Sequence, residues 1–233
     1  MSFLNLNSTI FKKSIAFTLA EVVIVIGIIG IIAEVTIPIL VSNFQKQQTV
    51  TALKKTYTSI AQAVKTSESE NGPIAMWDWG VANDTVSIRK SFDTYWAPYL
   101  RISKYCTSYQ DCGYNSQNFT FLNGSTNTLY IVLPTLRTTT ILSDGTLLIV
   151  IAFSGSGTDY RVIYTDINGA QKPNITGKDV FIFILDPNMG IVPYGYEQPD
   201  ATIKNSCSKD GTGSYCAAKI IRDGWQIKDD YPW

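Results

Sequence analysis

The sequence predicts an α+β fold in which one long amino-terminal helix packs on an antiparallel sheet of about four to five strands. One observation is an apolar segment near the start of the chain that is followed directly by an amphipathic one. Another is a series of later segments rich in Val, Ile, Tyr, Phe and Thr, whose short connections favour an antiparallel meander. We therefore expect a globular region at 73–233, with the sheet at about 128–186 and a glycine- and proline-punctuated region at 187–233.

The first half of the predicted helix, residues 17–41, is apolar enough to cross a membrane. It is about 25 residues long, which as a helix covers about 37 Å, and a bilayer core is about 30 Å thick. Lys12 and Lys13 lie just before it, so the positive-inside rule places everything after residue 41 outside the cytoplasm. An uncleaved signal anchor would explain the apolar segment, but it does not explain why an acidic residue, Glu21, lies inside that segment.

The second half of the helix, residues 42–72, is amphipathic and is expected to pack on the sheet. Its apolar residues recur at helical spacing and form one stripe: Val50, Leu53, Tyr57, Ile60 and Val64. Asn71, Gly72 and Pro73 end the helix, because Gly accepts a left-handed cap and Pro blocks continuation. Residues 74–117 show little periodicity and predict loops with a short helix near 89–100.

The strand predictions follow from composition and turn residues. The segments are LYIVLPT, TTTIL, GTLLIVIAF, YRVIYTDI and DVFIFIL. A Ser-Asp-Gly turn at 143–145 and a Ser-Gly-Ser-Gly turn at 154–157 join neighbouring segments as hairpins.

Composition argues against several classes of function. The chain of 233 residues has no histidine, which removes Ser-His-Asp and Cys-His catalysis and histidine-based zinc sites. Its 19 basic and 19 acidic residues give a net charge of zero, so nothing indicates a nucleic-acid partner. We therefore expect a structural or binding role rather than an enzyme.

The segment AFTLAEV around Glu21 resembles the prepilin-peptidase site of type IV pilins and type II secretion pseudopilins. That resemblance implies a leader at 1–16, cleavage between Ala16 and Phe17, and N-methylation of Phe17. It also implies that Glu21 is the family's acidic assembly residue and that Pro38 is its frequent helix proline. Ala16 stands where the family usually has glycine, which keeps the position small.

Elementary electrostatics agrees with this resemblance. Cleavage would create a cationic amine on Phe17 at the start of a helix, and Glu21 lies one turn further along the same face. The carboxylate would offset that amine within one subunit or reach the amine of a neighbouring subunit and set the axial register. Glu34, near the outer edge of the bilayer, either extends to the headgroups or makes a second contact between subunits.

The resemblance implies a structural subunit of a type IV pilus or a type II secretion pseudopilus. Such a subunit is held in the bacterial inner membrane by one span, with its head outside the cytoplasm, and then enters a cell-surface or periplasm-spanning filament. Its partners would be other pilin-like subunits, the prepilin peptidase, the inner-membrane assembly platform and the lipid bilayer. The alternative is an uncleaved, single-pass, membrane-anchored binding protein outside the cytoplasm.

The four cysteines suggest disulfides in an oxidising compartment. Cys106 and Cys112 form one close pair in sequence, and Cys207 and Cys216 form another. Of the three possible connectivities, the local one needs the least chain closure and is favoured. The alternative is four buried free thiols.

One loop, DINGAQKPNITGKD at 166–179, contains a set of oxygen ligands suitable for a hard cation. Asp166, Asn168, Asn174 and Asp179 supply carboxylate and amide oxygens of the kind that calcium binds. Some secretion pseudopilins hold calcium in a comparable late loop, so the resemblance points the same way. The alternative is a plain Asn-Gly turn followed by a loop, with no cofactor.

Overall fold

The computed structural model describes residues 18–155 and 158–233, without the side chains of 155 and 158–160. The predicted leader at 1–16 and the residues of the predicted cleavage site, Ala16 and Phe17, lie outside the described residues. The chain falls into two compact units, divided between Phe44 and Gln45, and each is described here by itself. We call the second unit, Gln45–Trp233, the head.

The long helix α1 spans Leu19–Asn71 and contributes residues to both units. Within the head it buries one face, and the predicted apolar stripe supplies three of the six buried residues there. The buried residues are Leu53, Thr56, Ile60, Ala63, Val64 and Ser67. The helix ends at Gly72, whose φ of 82° is the left-handed conformation that glycine adopts without steric cost, and Pro73 follows.

The main sheet of the head has six antiparallel strands in the order β1-β4-β5-β6-β7-β8. They are β1 (Ile102–Tyr105), β4 (Thr138–Leu142), β5 (Leu147–Gly155), β6 (Thr158–Asp166), β7 (Val180–Asp186) and β8 (Gly190–Pro193). A separate two-stranded sheet pairs β2 (Asn118–Thr120) with β3 (Thr126–Tyr130). The head also contains α2 (Thr85–Tyr95), α3 (Asp200–Ser206) and α4 (Cys216–Arg222).

The predicted fold class is confirmed, with differences in the sheet. The sheet has six strands instead of four to five, because the two edge strands β1 and β8 are only four residues long and carry little apolar pattern. The predicted strand LYIVLPT is largely wrong: only Leu129 and Tyr130 lie in a strand, and that strand belongs to the small sheet. The chain turns after Pro134, where Leu136 and Arg137 both donate backbone hydrogen bonds to the Leu133 carbonyl.

Strand β5 explains why the head has apolar residues on both faces of its sheet. Leu148, Val150 and Ala152 belong to the cluster that contains the buried residues of α1. Leu147, Ile149 and Ile151 belong to a second cluster with Phe119, Ile131 and the Cys106–Cys112 pair. Both faces of β5 are therefore covered, and its sequence reads as a nearly continuous apolar run.

The four cysteines form two local disulfides. Cys106 pairs with Cys112 across six positions, and Cys207 pairs with Cys216 across nine. The first lies in the cluster on one face of the sheet and the second in the cluster on the other.

Candidate functional site

The described part of the first unit is an exposed apolar helix. Its large apolar residues are all exposed, from Leu19 at 85% to Phe44 at 65%. Helix α1, whose most apolar 18-residue window has a mean hydropathy of 2.7, is long and apolar enough to cross a membrane. No other helix in the described residues meets that criterion. Such a surface is unstable in water, and a membrane is one environment that would cover it.

Glu21 lies at the start of this helix and forms a capping box with Thr18. The Thr18 hydroxyl accepts a hydrogen bond from the Glu21 amide at 3.2 Å. In return Glu21 Oε2 accepts from the Thr18 amide at 2.8 Å and from the Thr18 hydroxyl at 2.8 Å. The Thr-Leu-Ala-Glu spacing is a sequence signature of this cap. Within the described residues, Glu21 Oε1 makes no hydrogen bond and is available to a further donor.

Pro38 lies inside α1, as the sequence analysis expected of a helix proline. Because proline has no amide hydrogen, the carbonyl of Glu34 lacks its usual helical donor. Two positions earlier the Thr36 hydroxyl donates to the Ile32 carbonyl at 2.9 Å. The Glu34 side chain is exposed on the same segment.

In the head, the loop 166–179 brings two buried carboxylates to the junction between β6 and β7. Asp166, the last residue of β6, is 0% exposed, and Asp179, just before β7, is 4% exposed. The buried Tyr114 hydroxyl donates to Asp166 Oδ2 at 2.8 Å. Asp179 accepts two backbone hydrogen bonds at 2.7 Å, from the amides of Asn174 and Ile175. The Asp179 carboxylate therefore binds two backbone amides of its own loop.

The Asn174 side chain joins the two halves of the loop. One terminal atom of its amide lies 3.1 Å from Asp166 Oδ2, 3.3 Å from the Gly169 carbonyl and 3.0 Å from the Gln171 carbonyl. All three neighbours are acceptors, so in the absence of a cation the amide nitrogen belongs at that point. If the amide oxygen is placed there, four oxygens converge, which is an arrangement that a bound cation would stabilise.

Two further oxygen atoms of this loop are buried without a partner. Asn168 Oδ1 and Thr176 Oγ1 lack hydrogen bonds in the described structure. Buried acceptors are normally satisfied, so orphaned atoms here call for a donor, a water or an ion. The structure brings three of the four predicted ligands together: Asn174 contacts Asp166 through its side chain and Asp179 through its backbone amide. The fourth, Asn168, lies in the same loop with an unpaired oxygen.

Burial controls the charge of the two acids. It raises the pKa of Asp166 from 3.8 to about 8, with a further increase from the charge of Asp179 and a partial offset from the Tyr114 hydroxyl. Burial also raises the pKa of Asp179, and its backbone hydrogen bonds oppose that rise. Repulsion between the two carboxylates favours a proton on Asp166 when no cation is bound.

Segments distant in sequence hold the loop in place from two sides. Gly113, next to Cys112, lies so close to Ala170 that a Cβ on Gly113 would be 3.3 Å from the Ala170 Cβ. On the other side the buried Tyr231 hydroxyl donates to the Gly177 carbonyl. A Cβ on Gly177 would lie 2.8 Å from Cys216 Sγ. Both disulfide-closed loops are thus packed next to the loop 166–179.

These residues fit a hard cation better than a transition metal. In the part of the chain that the structure describes, no three His, Cys, Asp or Glu side chains are arranged so that they could hold a metal ion together. The loop instead offers two carboxylates together with amide and carbonyl oxygens, which is a donor set that calcium accepts. Sequence reasoning found the four loop residues but missed Tyr114 and Tyr231, since nothing local marks a partner 52 or 54 positions away.

A family of unknown function (DUF6613) matches residues 39–233. The chain belongs to this family. The DUF6613 match covers the whole head, including the loop 166–179 and both disulfides, and begins beyond Glu21 and Glu34. No curated protein and no solved structure matches the chain.

Proposed function

We propose that the protein is a structural subunit of a type IV pilus or a type II secretion pseudopilus. In this proposal the prepilin peptidase cleaves the chain between Ala16 and Phe17 and methylates Phe17. The subunit then rests in the bacterial inner membrane, and an assembly platform moves it into a filament with other pilin-like subunits. The observation that carries the proposal is the exposed apolar part of α1 in the first unit, with one acid, Glu21, at its amino-terminal end.

The exposed apolar surface supports the proposal that this helix moves from lipid into contact with other subunits during assembly. Burying one large aliphatic side chain is worth about 1.5–3 kcal/mol, so a helix with this many exposed Ile and Val residues has a strong drive to be covered. Lipid covers it in the membrane, and the same helices of neighbouring subunits would cover it in a filament. Gly27 and Gly30, which have open space around them, permit the close approach of another helix.

Glu21 would guide this packing through the oxygen that the capping box leaves free. The cap uses Oε2, so Oε1 is available to the amine of Phe17 in the same or a neighbouring subunit. Opposite charges attract by several kcal/mol in a medium of low dielectric constant, far more than in water. A subunit displaced along the filament axis would lose that interaction.

The decisive experiment is the mass of the amino-terminal peptide. The full chain is produced in a host that has a prepilin peptidase and in the same host without it. We expect loss of residues 1–16 and one added methyl group on Phe17 only when the peptidase is present. Ala16→Leu is expected to block cleavage by filling the small position. An intact Met1 in the presence of the peptidase refutes the proposal.

A pair of variants separates charge from capping. Glu21→Gln keeps an acceptor for the Thr18 amide but removes the charge, whereas Thr18→Val removes the hydroxyl of the cap and keeps the charge. We expect Glu21→Gln to reduce sheared filaments at least tenfold, with cleavage retained, and Thr18→Val to reduce them much less. Equal losses would show that the cap, rather than the charge, is what assembly needs.

The capping box also supports the alternative, an uncleaved membrane-anchored binding protein. A capped Glu21 at the start of a helix is already satisfied by Thr18 and needs no new amino terminus. In that case the mature protein keeps residues 1–16 in every host and forms no filaments. The same mass measurement therefore distinguishes the two functions.

We further propose calcium as the cofactor of the loop 166–179, held by Asp166, Asn168, Asn174 and Asp179. Calcium would displace the proton of Asp166 and receive the Asn174 amide oxygen in place of its nitrogen. The test is a thermal melt of the full chain in detergent at pH 8, with excess calcium or with chelator. We expect calcium to raise the melting temperature of the parent protein but not of Asp166→Asn. Equal melts of the parent protein in both conditions refute this site.

A further inference from the structure

A small groove on the head is lined by a buried arginine that no acid of the described residues neutralises. It lies where α2 begins, β1 ends and β4 begins, and its volume is about 210 Å³. Its walls are mainly apolar and include Tyr105, Val132 and Pro134. We call it the Arg137 groove, after the buried arginine among its lining residues. It is separate from the loop 166–179 and from the apolar helix of the first unit.

Arg137 is only 8% exposed and has few partners. Its Nη1 donates to the Tyr130 carbonyl at 2.8 Å, and its buried Nε has no acceptor. Within the described residues no carboxylate forms an ion pair with it, and burial lowers the pKa of Arg137. Buried guanidinium groups are normally paired with an anion, since an unpaired buried charge costs free energy.

The other arginine of the groove is already neutralised. Arg89 Nε donates to both oxygens of Asp93, at 2.9 and 2.8 Å, and its guanidinium stacks 3.6 Å from the centre of the Tyr105 ring. The Tyr105 hydroxyl also donates to Asp93, at 3.0 Å. Among the residues that line the groove, Arg137 is therefore the charge without an acid partner in the described structure, and it lies beside apolar walls and the residues Thr107 and Thr138.

We propose that the Arg137 groove receives the carboxylate of an Asp or Glu side chain presented by another protein chain. A guanidinium can donate two parallel hydrogen bonds to a carboxylate, which satisfies both the charge and the open donors of Arg137. The methylene groups of the acidic side chain would contact Val132, Pro134 and the Tyr105 ring. This proposal does not depend on cleavage at Ala16 or on filament assembly.

The size of the groove favours a side chain over a free small molecule. Its volume is about 210 Å³, so the groove admits only a small ligand. Independent ligand sites usually measure about 300–1,000 Å³. A ligand that small has little affinity alone, whereas a carboxylate attached to a larger contacting surface needs only a small anchor.

The first experiment tests the chemistry of the groove. The full chain in detergent, labelled with ¹⁵N-arginine, is titrated with isovalerate and with its neutral amide, isovaleramide. We expect isovalerate to shift the Arg137 Nε–H resonance with a Kd of about 1 mM or weaker, and isovaleramide to bind at least tenfold more weakly. Equal responses to acid and amide, or no response to either, overturn the proposal. A Kd below about 10 μM would indicate a free small carboxylate as the occupant and overturn it as well.

The second experiment tests the source of the carboxylate. The photoreactive residue benzoylphenylalanine replaces Val86, which is 78% exposed and follows the lining residue Thr85, in cells that produce the full chain, and cross-linked peptides are mapped by mass spectrometry. We expect an adduct within a few residues of an Asp or Glu of another chain. Arg137→Met should reduce it at least fivefold, and Arg101→Met, a matched change at an exposed arginine outside the groove, should not. No adduct, or one insensitive to Arg137→Met, overturns the proposal.

Discussion

Asp166→Asn is the variant that tests most directly how the buried acids of the head are held. In the parent protein burial raises the pKa of Asp166 from 3.8 to about 8. Asparagine has nearly the same shape; its oxygen can accept from the Asn168 amide, and its nitrogen can donate to the Tyr114 oxygen and, once the Asn174 amide is rotated, to the Asn174 oxygen. The variant therefore keeps the hydrogen-bond geometry and removes the titration.

The sign of the effect follows from the raised pKa. Between about pH 4 and pH 8 the folded protein keeps a proton on Asp166 that the unfolded chain releases. The free energy of unfolding is therefore highest below the ordinary pKa and falls as the pH rises towards 8. A shift of about 4 units at about 1.4 kcal/mol per unit corresponds to a loss on the order of 5 kcal/mol across that window.

The assay is urea unfolding of the full chain in detergent with chelator present, at pH 5, 6.5 and 8. We expect the free energy of unfolding of the parent protein to fall steeply across this series and that of Asp166→Asn to fall much less. At pH 8 the variant should be the more stable protein. Asp210→Asn, at an exposed acid of the same unit, should follow the parent curve.

Parallel curves for the parent protein and Asp166→Asn would refute the reasoning. They would mean that Asp166 is ionised in the folded protein without penalty, and hence that the surroundings of the carboxylate are more polar than its burial implies. A loss of stability in Asp166→Asn at all three pH values would mean that the carboxyl group is needed for its hydrogen bonds alone.

Two further predictions concern the segments that hold the loop 166–179. Replacing Cys207 and Cys216 together by serine should lower the free energy of unfolding by about 2.5 kcal/mol, since the disulfide closes nine positions; unchanged urea unfolding would contradict a stabilising role. Gly213→Ala should destabilise by more than about 2 kcal/mol, because its φ is 78° and a Cβ would overlap the Thr176 carbonyl. Gly124→Ala, with a φ of 80° and open space, is the control and should lose only about 1 kcal/mol by thermal melting.

The sequence predicted those parts of the head whose pattern is local and long. The spacing of Leu53, Ile60 and Val64 identified the buried face of α1, and the β-branched runs identified β5, β6 and β7. The short edge strands β1 and β8 were missed, because four residues with mixed burial give no periodic signal. The run LYIVLPT has strand composition, but a turn at 133–137 removes most of it from the sheet.

In the candidate sites too, residues close together in sequence were predictable, whereas contacts between distant residues were not. Asp166, Asn168, Asn174 and Asp179 could be chosen because they are close in sequence. The Tyr114 hydroxyl and the unpaired Arg137 could not, since their roles depend on which distant residues surround them after folding. The capping box of Thr18 and Glu21 follows a local spacing and was predictable from the sequence, but only the charge of Glu21 was considered.

Strand β5 limits where relatives of this protein can gain or lose residues. Its even-numbered and odd-numbered residues serve opposite sides of one sheet, so deleting a single residue would exchange the two sets. Both apolar interiors would then be remade at once, with the α1 side and the Phe119 side each receiving side chains selected for the other. Insertions and deletions among relatives should therefore avoid Leu147–Phe153 and accumulate in turns, where one more residue changes no packing.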